Sequence, residues 1–239
     1  MSDTLPTLDT PELARPPESR RLYQQIADRV RALALCGDYP VGSRLPPERD
    51  LALQLGVSRP SLREALIALE IEGSVEIRMG SGVYICARPA PRPGLPVSMG
   101  ESPAELMQAR SAVEGAVAAL ACGNITAQGL ARVQATVDAR RDDIRQRRDV
   151  MAHDREFHIA IARMSGNSVL ESLVGTLFDM RNSPLAAHMR TRLETEPTWD
   201  AALAEHEQIL RCLSQRDPLA AEAAMRAHIR AAADRWVIA

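Results

Sequence analysis

Three of the five histidines fall where helical patterning would turn them inward: His158, His206 and His228. Asp154 precedes His158 by four residues, one helical turn, so the two side chains share a face. His206 sits mid-helix in Glu205-His206-Glu207, and His228 mid-helix in Ala227-His228-Ile229. One carboxylate and three imidazoles from three helices form a donor set for a divalent ion, zinc first, with nickel and manganese as alternatives. Such a set leaves coordination positions open for a ligand. Lone helical histidines are also commonly exposed or hydrogen-bonded core residues, and spacing alone leaves both readings open. An ion with an open position can activate water, so a metal-dependent enzyme is the rival from another class. A pure metal sensor is the second rival. No neighbouring residue presents itself as a general base, which weighs against the enzyme.

A second constellation lies early in the chain. Ser58, Arg59, Ser61 and Arg63 open a helix whose Leu62, Leu66 and Leu69 form an apolar face. Arg59 and Arg63, four apart, share a different face near its start. The N-terminal residues of a recognition helix meet base edges in the major groove, and the arginine fork matches guanine O6 and N7. Arg44 and Arg49 flank this helix as candidate phosphate contacts, as do the backbone amides of Gly80 and Gly82. Two arginines alone would read as a solvated face. Their setting in a particular order of elements points to double-stranded DNA.

The positioning elements are legible as follows. Residues 1–19 form a Pro-rich polar arm with no apolar signal-peptide core. From Arg20 a helix carries Leu22, Ile26, Val30 and Leu33 on one face and stops at Gly37 and Pro40. Residues 42–46 are turn-rich, and Pro47 stands at a first helical position of a short helix ending at Gly56. Ser58 caps the next helix, which runs to about Glu72 and ends at Gly73. Val75–Arg78 and Val83–Ile85, joined by Met79-Gly80-Ser81-Gly82, form a hairpin. The order is that of a winged helix-turn-helix, residues 20–87. Four prolines within residues 88–96 mark an extended linker, residues 88–100. The remainder, residues 101–239, reads as an all-α antiparallel bundle. Its first helix opens at Ser102-Pro103-Ala104-Glu105, a capping box, and turns Leu106, Ala109, Val113, Val117 and Leu120 to a core. Further helices are expected at 126–147, 149–164, 168–182, 196–214 and 218–236. Arg181 and Asn182, late in the fourth bundle helix, are further candidate polar contacts.

Composition agrees with a mainly α fold. The 239 residues are 46% hydrophobic and hold only seven aromatics, a core suited to packed helices. All 29 cationic residues are arginine, which excludes Schiff-base lysine chemistry, and 31 acids bring the net charge to −2. That balance argues against a polybasic coat on nucleic acid or membrane. Residues 20–88 hold ten arginines against eight acids, a modest excess that favours a dimer sharing the electrostatic work. Cys36, Cys86, Cys122 and Cys212 are scattered, with no Cys-x-x-Cys pair, so a reducing, cytoplasmic setting is expected. No apolar run approaches the ~20 residues needed to span a bilayer.

The runs Leu45-Pro46-Pro47-Glu48-Arg49-Asp50-Leu51-Ala52, Gly56-Val57-Ser58-Arg59-Pro60-Ser61-Leu62-Arg63-Glu64-Ala65-Leu66 and Leu69-Glu70-Ile71-Glu72-Gly73 resemble the GntR family of bacterial transcription regulators. The resemblance implies DNA contacts from Arg49, Ser58, Arg59, Ser61 and Arg63, with Gly80 of the wing in the minor groove. Met79 stands where some subfamily members carry a polar wing residue. Residues 101–239 resemble the FCD ligand-binding domain of the FadR subfamily, in many members of which an Asp-x-x-x-His helix and two later histidines bind a metal. Asp154, His158, His206 and His228 match that pattern; His153 and His188 have no counterpart and are read as incidental. The complete set argues against the acyl-CoA-binding branch.

Arg110 stands where the family places an inward arginine, which would trap a small carboxylate beside the metal. A surface i,i+4 pair with Glu114 is the alternative. Arg21-Leu22-Tyr23-Gln24-Gln25, Leu106-Met107-Gln108-Ala109-Arg110 and Arg216-Asp217-Pro218 resemble hexuronate-responsive members, so a sugar acid is the first effector expected, ahead of lactate, pyruvate or citrate-like acids. The resemblance implies a homodimeric regulator, a repressor released from operator DNA by its effector.

Overall fold

The computed structural model describes residues 21–35, 39–87 and 99–238. The arm, most of the linker, Cys36 and Gly37 therefore lie outside the described residues.

Helix α1 (Leu22–Leu35) packs on α3 (Arg59–Ile71) through Tyr23, Ile26, Ala27 and Val30. Tyr23 takes the place expected of Leu22, which is 51% exposed. The buried arc thus starts one residue later, because the larger Tyr23 ring fills the core while its hydroxyl reaches the backbone oxygen of Gly100. Between them α2 (Glu48–Leu55) ends at Gly56, whose φ of 65° is the left-handed cap that glycine takes without a Cβ clash. Pro47 precedes that helix as its cap, one position earlier than expected. Ser58 caps α3 by accepting from the Ser61 amide at 3.2 Å. Leu62, Leu66 and Leu69 are all buried, each worth about 1.5–3 kcal/mol.

The wing is an antiparallel hairpin of β1 (Val75–Arg78) and β2 (Gly82–Ile85), with Val75 opposite Ile85 and Arg78 opposite Gly82. The stretch read as turn-rich does more than turn. Gly42 and Leu45 donate to Ile85 and Val83 carbonyls at 2.8 Å, and Ile85 donates to Ser43, so residues 42–45 line the free edge of β2. This covers an otherwise unpaired edge.

Seven further helices form the bundle: α4 (Pro103–Gly123), α5 (Ala127–Arg145), α6 (Met151–Met164), α7 (Ser168–Asp179), α8 (Pro184–Leu193), α9 (Glu196–Ser214) and α10 (Pro218–Ile238). Long α4 and α10 lie side by side; α5 packs on α6 and α9, and α6 on α7. Phe157, Ile161, Leu185, Ile209 and Leu213 are central in the core. Ala109 and Leu120 face outward instead of into the core, while Leu106 and Val117 are buried. The helix expected over 168–182 breaks at Asp179 into a 3-10 turn, Met180–Asn182, and Ser183 then caps α8, which the sequence reading missed.

The two halves touch along α3, which meets α4, α8 and α10. Where the linker ends, Gly100 adopts φ 91° against Ser183, and an added Cβ would come within 2.1 Å of that side chain. Arg21 Nη1 donates to the Gly100 oxygen at 2.6 Å, pinning α1 to the entrance of α4.

Candidate functional site

Helix periodicity carries Asp154 and His158 inward from α6, His206 from α9 and His228 from α10, all buried. One nitrogen from each imidazole lies within 4.8 Å of the others. His206 Nε2 is 3.3 Å from His228 Nε2 and 3.4 Å from Asp154 Oδ1. Two imidazole nitrogens on one tetrahedral zinc, each about 2.0–2.1 Å from it, sit roughly 3.3 Å apart. The His206–His228 pair is therefore spaced as two ligands of a single ion, while Asp154 stands outside the group of three mutually close donors.

The surroundings fix the rings. His228 Nδ1 lies 2.7 Å from Glu205 Oε2, and His158 Nδ1 lies 2.5 Å from Glu114 Oε2. An ionised carboxylate only accepts, so His228 Nδ1 carries the proton and its Nε2 keeps a lone pair for the centre, whereas His158 Nδ1 meets Glu114 as a close contact without hydrogen-bond geometry. His158 Nε2 is buried with no hydrogen-bond partner, an orphan that an ion would satisfy. Phe157 stacks on His206 at 3.8 Å. Burial drives the His206 imidazole well below its ordinary range, and the neighbouring His228 adds to it. Burial also lowers His228, to about 4, against the pull of Glu205. Both rings are thus neutral near pH 7, the form that ligates.

Around the imidazoles stands a ring of opposite charges. Asp154 accepts from Arg140 at 2.7 Å and from Arg181 at 2.9 Å. Burial would raise its carboxyl, but these two guanidinium groups hold it well below the carboxylate range. Arg110 is 1% exposed and donates to Glu114 at 2.6 Å. The i,i+4 pair exists, but it is buried and linked onward to His158, so the surface alternative does not describe it. Burial alone would raise Glu114; Arg110 and His158 outweigh it and bring it to about 2. Arg110 and Arg181 both lie over the Phe178 ring at 4.8 Å.

A cavity of about 30 Å³ adjoins this cluster, bounded by Arg110, Arg140, Arg181, Glu194, Trp199 and His228 among others. It has room for about two waters. Asn182 is exposed and does not line it. Sequence reasoning missed Arg140, Glu194, Trp199 and Glu205, and saw Glu114 only as a partner of Arg110. Nothing in their spacing separates them from surface charges; the adjacency Glu205-His206 was the single available signal. His153 contacts Asp143, away from the imidazole cluster.

At the other end, Arg59 is exposed on the first turn of α3, without a protein hydrogen bond among the described residues. Ser58 and Ser61 hydroxyls bond each other at 2.8 Å. Arg63 is only 12% exposed, and its Nε and Nη2 donate to Glu48 at 3.1 and 2.8 Å. It ties α2 to α3 as well as facing the helix start. Arg49 is 80% exposed. Arg44 lies across the wing against Gly82, whose φ of 118° is a backbone conformation that L side chains rarely adopt. Gly80 marks the wing tip at φ 70°, beside exposed Met79.

Two acids of α3 join this end to the bundle. Buried Glu64 accepts from the Ser102 hydroxyl at 2.8 Å and the Ala104 amide at 2.7 Å, capping α4 in place of the reciprocal bond expected from Glu105. Glu70 takes the Ile77 amide, His188 Nε2 at 3.0 Å and Arg192 at 2.8 Å from α8. His188 is therefore an interdomain contact, remote from the imidazole cluster.

Among the described residues no helix is long and apolar enough to cross a membrane. Residues 22–85 match the bacterial regulatory proteins of the gntR family, and residues 105–231 match the FCD domain. The chain is 35% identical over 217 residues to the Exu regulon transcriptional regulator of Escherichia coli, covering 89% of this chain and 83% of that protein. It is 32% identical to the Uxu operon transcriptional regulator of the same organism, over 88% of this chain and 85% of the relative. The Uxu operon regulator of Haemophilus influenzae is 30% identical, over 87% and 79%. These are regulators, which removes the metal-dependent enzyme from consideration. The exposed arginines on a capped helix, the wing and the buried polar bundle thus belong together: the chain is a member of the GntR family of bacterial transcription regulators, with an FCD domain as its second half.

Proposed function

We propose that this regulator binds operator DNA as a homodimer and represses until a small carboxylate, a sugar acid first, binds beside a divalent ion in the bundle. The observation that carries this reading is the cluster of three buried imidazoles, one of them, His228, oriented by a carboxylate at Nδ1. Asp154, His158, His206 and His228 would hold the ion, zinc ahead of nickel or manganese. A bound ion supplies a Lewis-acidic point for a carboxylate oxygen. Arg110 presents the second cationic group, its Nη2 buried with no acceptor. The names of the Exu and Uxu regulators favour a hexuronate.

Two links relay occupancy to the DNA. Arg110 rides on α4, whose N-terminus is held by Glu64 of α3. Arg181 lies in the 3-10 turn that leads into α8, whose His188 and Arg192 hold Glu70 of α3. A shift of either helix re-aims the recognition helix, and a dimer needs its half-sites at a fixed separation. By linkage the effector binds the DNA-free protein more tightly than the operator complex, by the factor it weakens DNA.

The test reloads purified protein with zinc and titrates hexuronates calorimetrically with and without operator. One equivalent of zinc per chain, lost in His206→Ala and retained in His188→Ala, is expected. Equal hexuronate affinity in the two states would remove the effector role, and less than half an equivalent of metal would remove the ion. Operator release by zinc alone would favour the pure metal sensor.

A further inference from the structure

The cavity beside the imidazoles is lined on one side by groups that a bare carboxylate would not engage. The α8–α9 junction contributes two of them. Glu194 follows the last residue of α8, and Trp199 lies on the first turn of α9. Trp199 Nε1 is buried and has no acceptor. Glu194 is 18% exposed, and among the described residues its hydrogen bond to a side chain, from Arg181, is long at 3.4 Å. Across the cavity, Arg110 Nη2 and Arg140 Nε are likewise buried donors without acceptors. Buried polar groups in native proteins are nearly always satisfied, so three donors without protein acceptors and one weakly satisfied acceptor around one cavity make it a site for a polar ligand. Such a ligand brings several oxygen acceptors and at least one hydroxyl donor.

Building on the effector site proposed above, we propose that Trp199 and Glu194 read the hydroxyl groups of the effector. Trp199 Nε1–H donates to one ligand hydroxyl oxygen, and the Glu194 carboxylate accepts from another hydroxyl. The site therefore selects a polyhydroxy acid over a short one. Burial, with Asp154 adding repulsion, raises the Glu194 carboxyl even against Arg181, which marks it as under-solvated in the absence of such a donor. Both residues sit beside a cavity too small for such a ligand, so the junction must yield as the acid enters.

The test uses the full chain reloaded with zinc, with Trp236→Phe so that Trp199 is the single tryptophan. Glucuronate, galacturonate and lactate are titrated by calorimetry and by fluorescence. The hexuronates are expected to shift Trp199 emission and lactate to leave it unchanged. Trp199→Phe and Glu194→Gln, made separately, are each expected to weaken hexuronate binding about tenfold, with lactate affinity and zinc stoichiometry unchanged. A parallel loss for hexuronate and lactate would mean a structural role and overturn the proposal, as would no loss for either. Acid binding that depends on Arg110 but is blind to Trp199 and Glu194 overturns this inference alone. Absence of any acid binding to the zinc-loaded protein overturns the effector site as well.

Discussion

The two halves of the molecule place their charges in opposite ways. In the described part of the DNA-reading half, Glu64 is the single buried charged residue, and the arginines that would meet DNA lie on α3, the wing and α2 around an aliphatic core. The bundle encloses Arg110, Glu114, Arg140, Asp154 and Arg181 with three imidazoles. A surface that binds a polyanion keeps its cations hydrated until the partner arrives, so the fold beneath needs only apolar packing. A pocket for a small anion must desolvate its cations in advance, and each then requires a counter-charge to remain tolerable. The FCD half thus buries its charged groups in its core, where a ligand site and stability would share residues.

Substitutions should separate the halves accordingly. The largest effect is expected inside. Asp154→Ala leaves Arg140 and Arg181 facing each other without their carboxylate and should cost about 3–5 kcal/mol of stability, measured by denaturant unfolding of metal-free protein. A loss within the range of ordinary surface substitutions would erase the contrast.

Outside, Arg59→Ala should cost about 1–3 kcal/mol at the operator and leave the melting temperature unchanged. Arg63→Ala should show a loss of similar size and blur discrimination at one base pair per half-site, but because it also frees Glu48 it should lower the melting temperature. Operator affinity equal to wild type for Arg63→Ala would confine that residue to joining α2 with α3. Smaller again, Arg44→Ala should weaken all DNA sequences alike and lower the slope of log K against log salt by about 1.

The smallest expected effect lies at the boundary, in Glu64. Burial raises its carboxyl above the ordinary value of 4.5, with Glu105 adding repulsion, despite the bonds from Ala104 and Ser102. Its folded state therefore binds a proton more readily than its unfolded state. The contribution to stability is complete below pH 4.5 and fades as pH rises through the folded value. Glu64→Gln should flatten that part of the pH–stability curve; an unchanged curve would mean that the carboxylate's bonds to α4 already compensate its burial.

Local signals carried much of the architecture. Ser58 and Ser102 as caps, Gly56 as a stop, the hairpin around Gly80 and the start of α10 at Asp217-Pro218 all depend on a few neighbouring residues and appear where expected. Ser183-Pro184 carries the same cap-then-proline signal as Ser102-Pro103, so α8 was readable, but the apolar run before it suggested one continuous helix. The pairing of residues 42–45 with β2 was not readable, since it joins segments some forty positions apart.

The candidate site divides in the same manner. Residue types and helical spacing were enough to nominate Asp154, His158, His206 and His228, because periodicity alone assigns a helix face. They also sufficed for a capped helix presenting Arg59 beside its first turn. Tertiary structure decided which charges meet. Arg140 reaches Asp154 from another helix, Glu205 rather than Glu207 turns to His228, and Trp199 closes on the same cavity. It also decided that Glu64 and Glu70 face the bundle while Arg59 faces outward on one helix. A side chain's direction on its own helix follows from local geometry, whereas its partner depends on how helices distant in sequence pack.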